Sequence, residues 1–138
     1  MTTQETAPYA ALVLRIGLGT LFIAHALLKI FVFTPEGTVG FFASLGIPGW
    51  FAYPTMALEL IGGAMLILGI KTRHVSMALI PIIIGTIVLV HGAKGWLFTN
   101  EGGGWEFPLF IIVALITQSL LGNGAISLKA IISKYRQQ

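Results

Sequence analysis

Apolar residues fill four long stretches of this chain, at residues 9 to 32, 53 to 70, 75 to 97 and 106 to 122, and polar positions gather at their ends. Each stretch is near the ~20 residues that an α-helix needs to cross a bilayer, the second and fourth being short. Turn residues mark the limits: "IPGW" before the second, "KTRH" after it, "NEGGGW" before the fourth and "GNGA" after it. The pattern predicts an all-α membrane protein, a four-helix transmembrane bundle forming a single domain over residues 1–138. Two more segments are expected to lie along the membrane. In "SLKAIISKYRQQ", Leu128, Ile131, Ile132 and Tyr135 follow helical spacing while Lys129, Lys134 and Arg136 flank them, which predicts a short C-terminal interfacial helix with snorkelling cations. "GTVGFFASLGIPGW" is similar but uncharged.

Composition narrows the class further. Of 138 residues, 56% are hydrophobic and 9% charged, and the mean hydropathy of +0.90 lies far outside the range of soluble domains. No length remains for a Rossmann or P-loop domain. The absence of cysteine excludes thiolate nucleophiles, Cys-ligated zinc and iron–sulfur clusters. A net charge of +3 could point to nucleic acid, but the basic residues flank apolar spans and fit membrane lipid instead, so no nucleic-acid partner is expected. "MTTQETAP" lacks a positive n-region and the apolar run after it is too long for a cleavable signal peptide, so none is expected.

Basic loops set the expected orientation. Lys71 and Arg73 lie between spans two and three, and Lys129, Lys134 and Arg136 follow span four, whereas the loops before spans two and four carry only Glu36 and Glu101. Both termini are therefore expected in the cytoplasm. Trp50, Trp96 and Trp105 then fall at the opposite interface, with Phe51, Tyr53 and Phe98, as an aromatic belt.

At that outer level six ionisable residues on four spans reach the same depth: His25 and Lys29, Glu59, His91 and Lys94, and Glu106. At 1.5 Å per residue they occupy roughly one third of the bilayer. Charged groups at membrane depth are costly and mark partners or function. Lys29 and Lys94 balance Glu59 and Glu106, so the plain structural account is two ion pairs holding the helices in register. The functional account is a polar pocket opening outward. Arg15, Lys29 and His25 share a sector of roughly 80° on span one. Arg15 lies deeper, in the inner half, and is expected to snorkel to lipid phosphate or to bond Gln118. Gly62 and Gly63 predict close helix packing, and Pro81 a tolerated kink.

His25 and His91 are also residues by which a bundle can hold haem b axially, or a metal together with Glu59. Single histidines at unspecific spacing weigh against haem, and the two lysines weigh against a bare cation.

"LRIGLGTLFIAHALLKIF", "GFFASLGIP", "ALELIGGAMLILGIKTR", a histidine late in span three and "GGGWEFP" occur in this order. Together, over residues 11 to about 128, they resemble the DoxX family of small four-helix bacterial inner-membrane proteins. The resemblance implies a multi-pass protein of the bacterial inner membrane, and Arg15, His25, Lys29, Glu59, Gly62, Gly63, His91 and Glu106 match recurring family positions that carry no established catalytic role. Members of the wider group include a small subunit of a thiosulfate:quinone oxidoreductase. An accessory or quinone-interacting subunit of a membrane oxidoreductase system is therefore expected, at most part of an enzyme, with redox-complex proteins as partners and His25, Lys29, Glu59, His91, Lys94 and Glu106 around a quinone. The oligomeric state has no signature in the sequence. A small proton-coupled transporter and a scaffold for a soluble redox partner are the alternatives.

Overall fold

A run of 25 residues, Thr3–Leu27, forms the first helix, α1. It starts six residues before the apolar stretch because the Glu5 carboxylate accepts the Thr2 N–H at 2.6 Å, tying the chain before the helix to its first turn. The computed structural model describes residues 2–135, and these are all-helical, with no strand among them. α1 runs on through a π-helical turn, Leu28–Val32. The expected surface segment forms α2, Pro35–Ser44, opened by Pro35 and by the Thr34 hydroxyl accepting the Gly37 N–H. A 3-10 turn, Gly49–Phe51, leads into α3, Ala52–Leu68, which ends at Gly69 in the left-handed conformation.

α4, Thr72–Thr86, contains Pro81 and continues into a second π-helical turn, Ile87–His91, and a 3-10 turn to Lys94. α5, Glu106–Leu121, carries Pro108 in its first turn, where a missing N–H costs nothing. Three of these helical runs, Thr3–Val32, Gly49–Leu68 and Thr72–Lys94, are long and apolar enough to cross a membrane, and α5 is a shorter apolar helix of 16 residues. α6, Leu128–Tyr135, follows as the expected short C-terminal helix, with Leu128, Ile131 and Ile132 left exposed. Arg136 and the side chains of Lys129 and Tyr135 lie outside the described residues.

The four long helices pack in the cyclic order α1, α3, α4, α5, and Leu18, Phe22, Leu66, Leu79 and Leu115 fill the middle. The tightest seam joins α1 to α3. A methyl group added at Gly19 would lie 2.6 Å from the Gly63 carbonyl oxygen, and one at Gly63 would lie 2.8 Å from that of Gly19. Neither can be accommodated, so the two antiparallel backbones touch through paired glycines, the packing that lets helices associate without a hydrophobic drive. Gly62, next in sequence, faces the other way onto Val75 and Leu79 of α4. The "ELIGGAM" pair thus serves two seams at once.

Arg15 overturns the expectation made for it. It neither snorkels outward nor bonds Gln118. Its residue is 1% exposed, and its guanidinium donates to the carbonyls of Leu66 and Ile67 at the end of α3 and to those of Ala125 and Ile126 beyond α5, at 2.5–3.1 Å. The physical reason is level. Antiparallel pairing of Gly19 with Gly63 brings Arg15 to the carboxyl end of α3, where carbonyls have no intrahelical partner and the helix dipole favours a cation. The first turns of α1 therefore project past the end of α3, and the chain after α5 folds against them: Ala125 N–H donates to the Pro8 carbonyl at 2.9 Å. Gln118 instead donates from Nε2 to the Gly122 carbonyl at 2.7 Å.

Replacing Arg15 by Gln removes four bonds to a buried cation, and breaking such a network costs about 3–5 kcal/mol. The expected result is a large loss of thermal stability in detergent. Lys at this position recovers only part of it, because an ammonium lacks the planar fork that reaches two carbonyl pairs. Equal melting of wild type and Arg15→Gln would show that the guanidinium does not carry this junction.

Candidate functional site

Both π-helical turns lie at the end of the bundle opposite Arg15, and each holds a residue singled out from the sequence: Lys29 in the first and His91 closing the second. In each turn the bonding reaches five residues, Phe33 N–H to Leu28 and Gly92 N–H to Ile87. Such widened turns recur at functional sites because they re-aim side chains without breaking the helix.

Lys29 and Glu59 meet directly. Lys29 Nζ lies 2.9 Å from Oε1 and 2.8 Å from Oε2 of Glu59, joining α1 to α3. The carboxylate side is almost wholly buried, at 4% exposure, and the lysine is 20% exposed. Thr38, from α2, places its hydroxyl 3.2 Å from the Lys29 carbonyl and 2.9 Å from that of Thr34, so α2 is pinned over the pair. Among the described residues this is the one ion pair. The second pair expected, between Lys94 and Glu106, does not form.

The reason lies in the loop between α4 and α5. Residues 95–106 fold back on themselves: Trp105 and Glu106 donate their N–H groups to the carbonyls of Gly95 and Trp96, both at 3.1 Å. A side chain at Gly104 would overlap the Trp96 and Leu97 carbonyls, so "GGGWE" is a close-approach motif and not merely a turn. Trp96 and Trp105 meet edge to face at 4.5 Å. Glu106 closes the knot by accepting the Phe98 N–H on Oε1 at 2.8 Å, and the Asn100 side-chain amide donates to the Lys94 carbonyl at 2.7 Å. The Lys94 side chain lies over Gly102.

His91 bonds the same loop. Its Nδ1 lies 2.8 Å from the Gly103 carbonyl oxygen, which assigns the proton to Nδ1 and leaves Nε2 as the acceptor. His25 stands apart: it is exposed on α1, with Nδ1 2.9 Å from the Leu21 carbonyl of its own helix. Of the six residues expected around one pocket, the structure joins Lys29 to Glu59, gathers His91, Lys94 and Glu106 on the glycine loop, and gives His25 a local partner. Among the described residues no three metal-ligating side chains cluster.

Sequence reading missed an aromatic groove of about 660 Å³ beside Glu106, lined by Trp96, Phe98, Phe107, Leu109, Phe110 and Val113. Phe107, Phe110 and Val113 recur at intervals of three on α5 and are all exposed, a spacing that marks one helical face.

Glu59→Gln strands the Lys29 ammonium in a largely apolar seam, and the expected loss is about 3–5 kcal/mol. The double change Lys29→Met with Glu59→Leu is expected to recover most of it. Thermal unfolding in detergent measures both; a double variant as unstable as Glu59→Gln alone would mean that the pair does more than neutralise itself.

The DoxX family model matches residues 10–92. Over 123 residues, covering 89% of this chain and 87% of the other, the sequence is 32% identical to a Bacillus subtilis (strain 168) protein named "Putative oxidoreductase CatD". No solved structure matches the chain. The family match spans α1, α3 and α4, including Lys29, Glu59 and His91, and the chain belongs to the DoxX family.

Proposed function

We propose that this protein is an accessory, quinone-interacting subunit of a membrane oxidoreductase system in the bacterial inner membrane, with both termini in the cytoplasm. The observation that carries the reading is the aromatic groove with a single carboxylate on its wall: Trp96, Phe98, Phe107 and Phe110 offer ring faces and edges, and Glu106 the only ionisable group. The groove's α5 wall is exposed along a helix that reads as a membrane span, so a lipophilic ring reaches it sideways from the bilayer. The similarity to a protein named an oxidoreductase supports the redox half of the reading.

A quinone supplies two-electron chemistry, and its reduction takes up two protons. Here the chain holds the ring and moves a proton. Oε1 of Glu106 is committed to the Phe98 N–H, which leaves Oε2 to exchange a proton at the groove. His91 Nε2, with Nδ1 fixed on Gly103, is a second acceptor on the same loop, and Lys94 adds positive charge beside it. The electrons come from a redox partner protein. Glu59 has a different part: both oxygens are committed to Lys29, which favours a positioning role for that pair over the exchanging carboxylate of a proton-coupled transporter.

An azido-quinone analogue is expected to label residues between Trp96 and Val113. Phe110→Ala combined with Glu106→Ala lowers labelling about tenfold, since burying one aromatic side chain is worth about 1.5–3 kcal/mol, while His25→Ala leaves it unchanged. Labelling that depends on His25 and not on Phe110 would overturn the groove assignment. For the orientation, a fluorescent protein fused at the C-terminus is expected to be bright and alkaline phosphatase at the same point inactive, because Lys71, Arg73 and Lys134 share the end of the bundle at which α1 begins.

A further inference from the structure

The Arg15 end carries a second, unrelated cavity. An open groove of about 800 Å³ lies between the α3–α4 turn, the end of α5 and α6. One side is basic, with Lys71, Arg73 and His74; the other is apolar, with Leu121, Leu128 and Ile132. All three basic residues are exposed. None of the chain's five acidic residues lines the groove: Glu36, Glu59, Glu101 and Glu106 belong to the opposite end, and Glu5 is turned back onto the Thr2 N–H. Among the described residues, neither Lys71 nor Arg73 is paired with a carboxylate.

From these features we infer that the groove binds one anionic glycerophospholipid, with its phosphate on Arg73, Lys71 and His74 and an acyl chain along Leu121, Leu128 and Ile132. Depth supports the assignment. Leu68 ends α3, Thr72 begins α4 and Leu121 ends α5, so the groove opens where three membrane-crossing helices stop, at the level of lipid phosphates. Charge and greasiness are also arranged in the order a phospholipid presents them, headgroup beside tail. A free phosphate would leave the apolar wall unmatched, and an uncharged lipid would leave the cations unmatched.

The groove is built before any ligand arrives. Arg73 lies over Gly122, where an added methyl would sit 3.0 Å from Nε, so the absence of a side chain there lets the guanidinium approach the end of α5. Asn123 accepts the Thr72 N–H and hydroxyl at 3.2 and 2.8 Å, locking the α3–α4 turn onto the same segment. α6, which forms the apolar wall, is fixed by Arg15 through the Ala125 and Ile126 carbonyls and by Ser127 accepting the Ala130 N–H at 3.3 Å. A preformed site spends little binding energy on ordering itself.

The test is lipid retention by the full chain in detergent, offered dioleoyl phosphatidylglycerol or dioleoyl phosphatidylcholine and read by native mass spectrometry. One phosphatidylglycerol is expected to be retained in preference to phosphatidylcholine. Arg73→Gln weakens that retention about tenfold, the usual weight of a charged hydrogen bond. Lys134→Gln removes the same charge from outside the groove and is expected to have a much smaller effect. Ile132→Asn, at an exposed position, weakens phosphatidylglycerol but has no effect on glycerol 3-phosphate, which binds far more weakly. Unchanged melting temperatures for the three variants show that each is folded. Equal retention of the two lipids, or equal losses for Arg73→Gln and Lys134→Gln, would overturn the proposal. So would glycerol 3-phosphate binding as well as the lipid, which would make the groove a site for soluble phosphate.

Discussion

A single guanidinium bonds three pieces of this fold at once: α1, the end of α3 and the chain after α5. Arg15 takes two carbonyls from the end of α3 and two from the chain after α5, with its own side chain buried. Without a cation there, the carboxyl end of α3 would present unsatisfied acceptors, and residues 122–127 would keep only the Ala125 bond to Pro8 and the Asn123 bonds to Thr72 across the bundle. The position of α6 follows from that bond set, as does the register in which α1 passes α3. Register then decides the other end, because sliding α1 by a turn would separate Gly19 from Gly63 and carry Lys29 away from Glu59.

How much of this is legible in the sequence depends on how local the cause is. Span limits are readable because bilayer thickness sets the length of apolar runs, and the observed helices depart from them only where a cap such as Thr2 with Glu5, or a stop such as Gly69, acts beyond the hydropathy signal. Lys29 with Glu59 is readable because charges at membrane depth must find each other. Gly63 is readable because a missing side chain in a span has few other uses. Arg15 is not, since its partners are main-chain carbonyls, which every residue carries and no letter of the sequence marks.

The histidines show a subtler limit. Depth alone places His25 beside Lys29, but an 80° sector is wide enough to hold the buried Arg15 and the exposed His25 on the same helix. The glycine loop hides its geometry for a different reason. "NEGGGWE" advertises freedom, yet its glycines have separate uses: Gly102 and Gly103 take the left-handed conformation, while Gly104 lies against the Trp96 and Leu97 carbonyls as the Glu106 carboxylate reaches the Phe98 N–H. The outcome is a loop bonded back on itself where an open turn would be the first guess.

The unequal helix lengths have a consequence for the surrounding bilayer. At 1.5 Å per residue, α5 with its 16 residues extends only about 24 Å, less than the ~30 Å of an average hydrocarbon core, whereas the run through α3, Gly49–Leu68, is long enough to cross. Because the segment after α5 is bonded to Arg15 and to the Pro8 carbonyl, α5 does not shift its level independently of α1. A helix shorter than the hydrocarbon core is accommodated by local thinning of the bilayer, which for this chain falls on the α5 side of the bundle. Hydrophobic mismatch of this kind costs fractions of a kcal/mol per Å, enough to concentrate a protein in thinner patches of membrane. The arginine that closes the bundle thereby also sets where in the membrane the molecule is most comfortable.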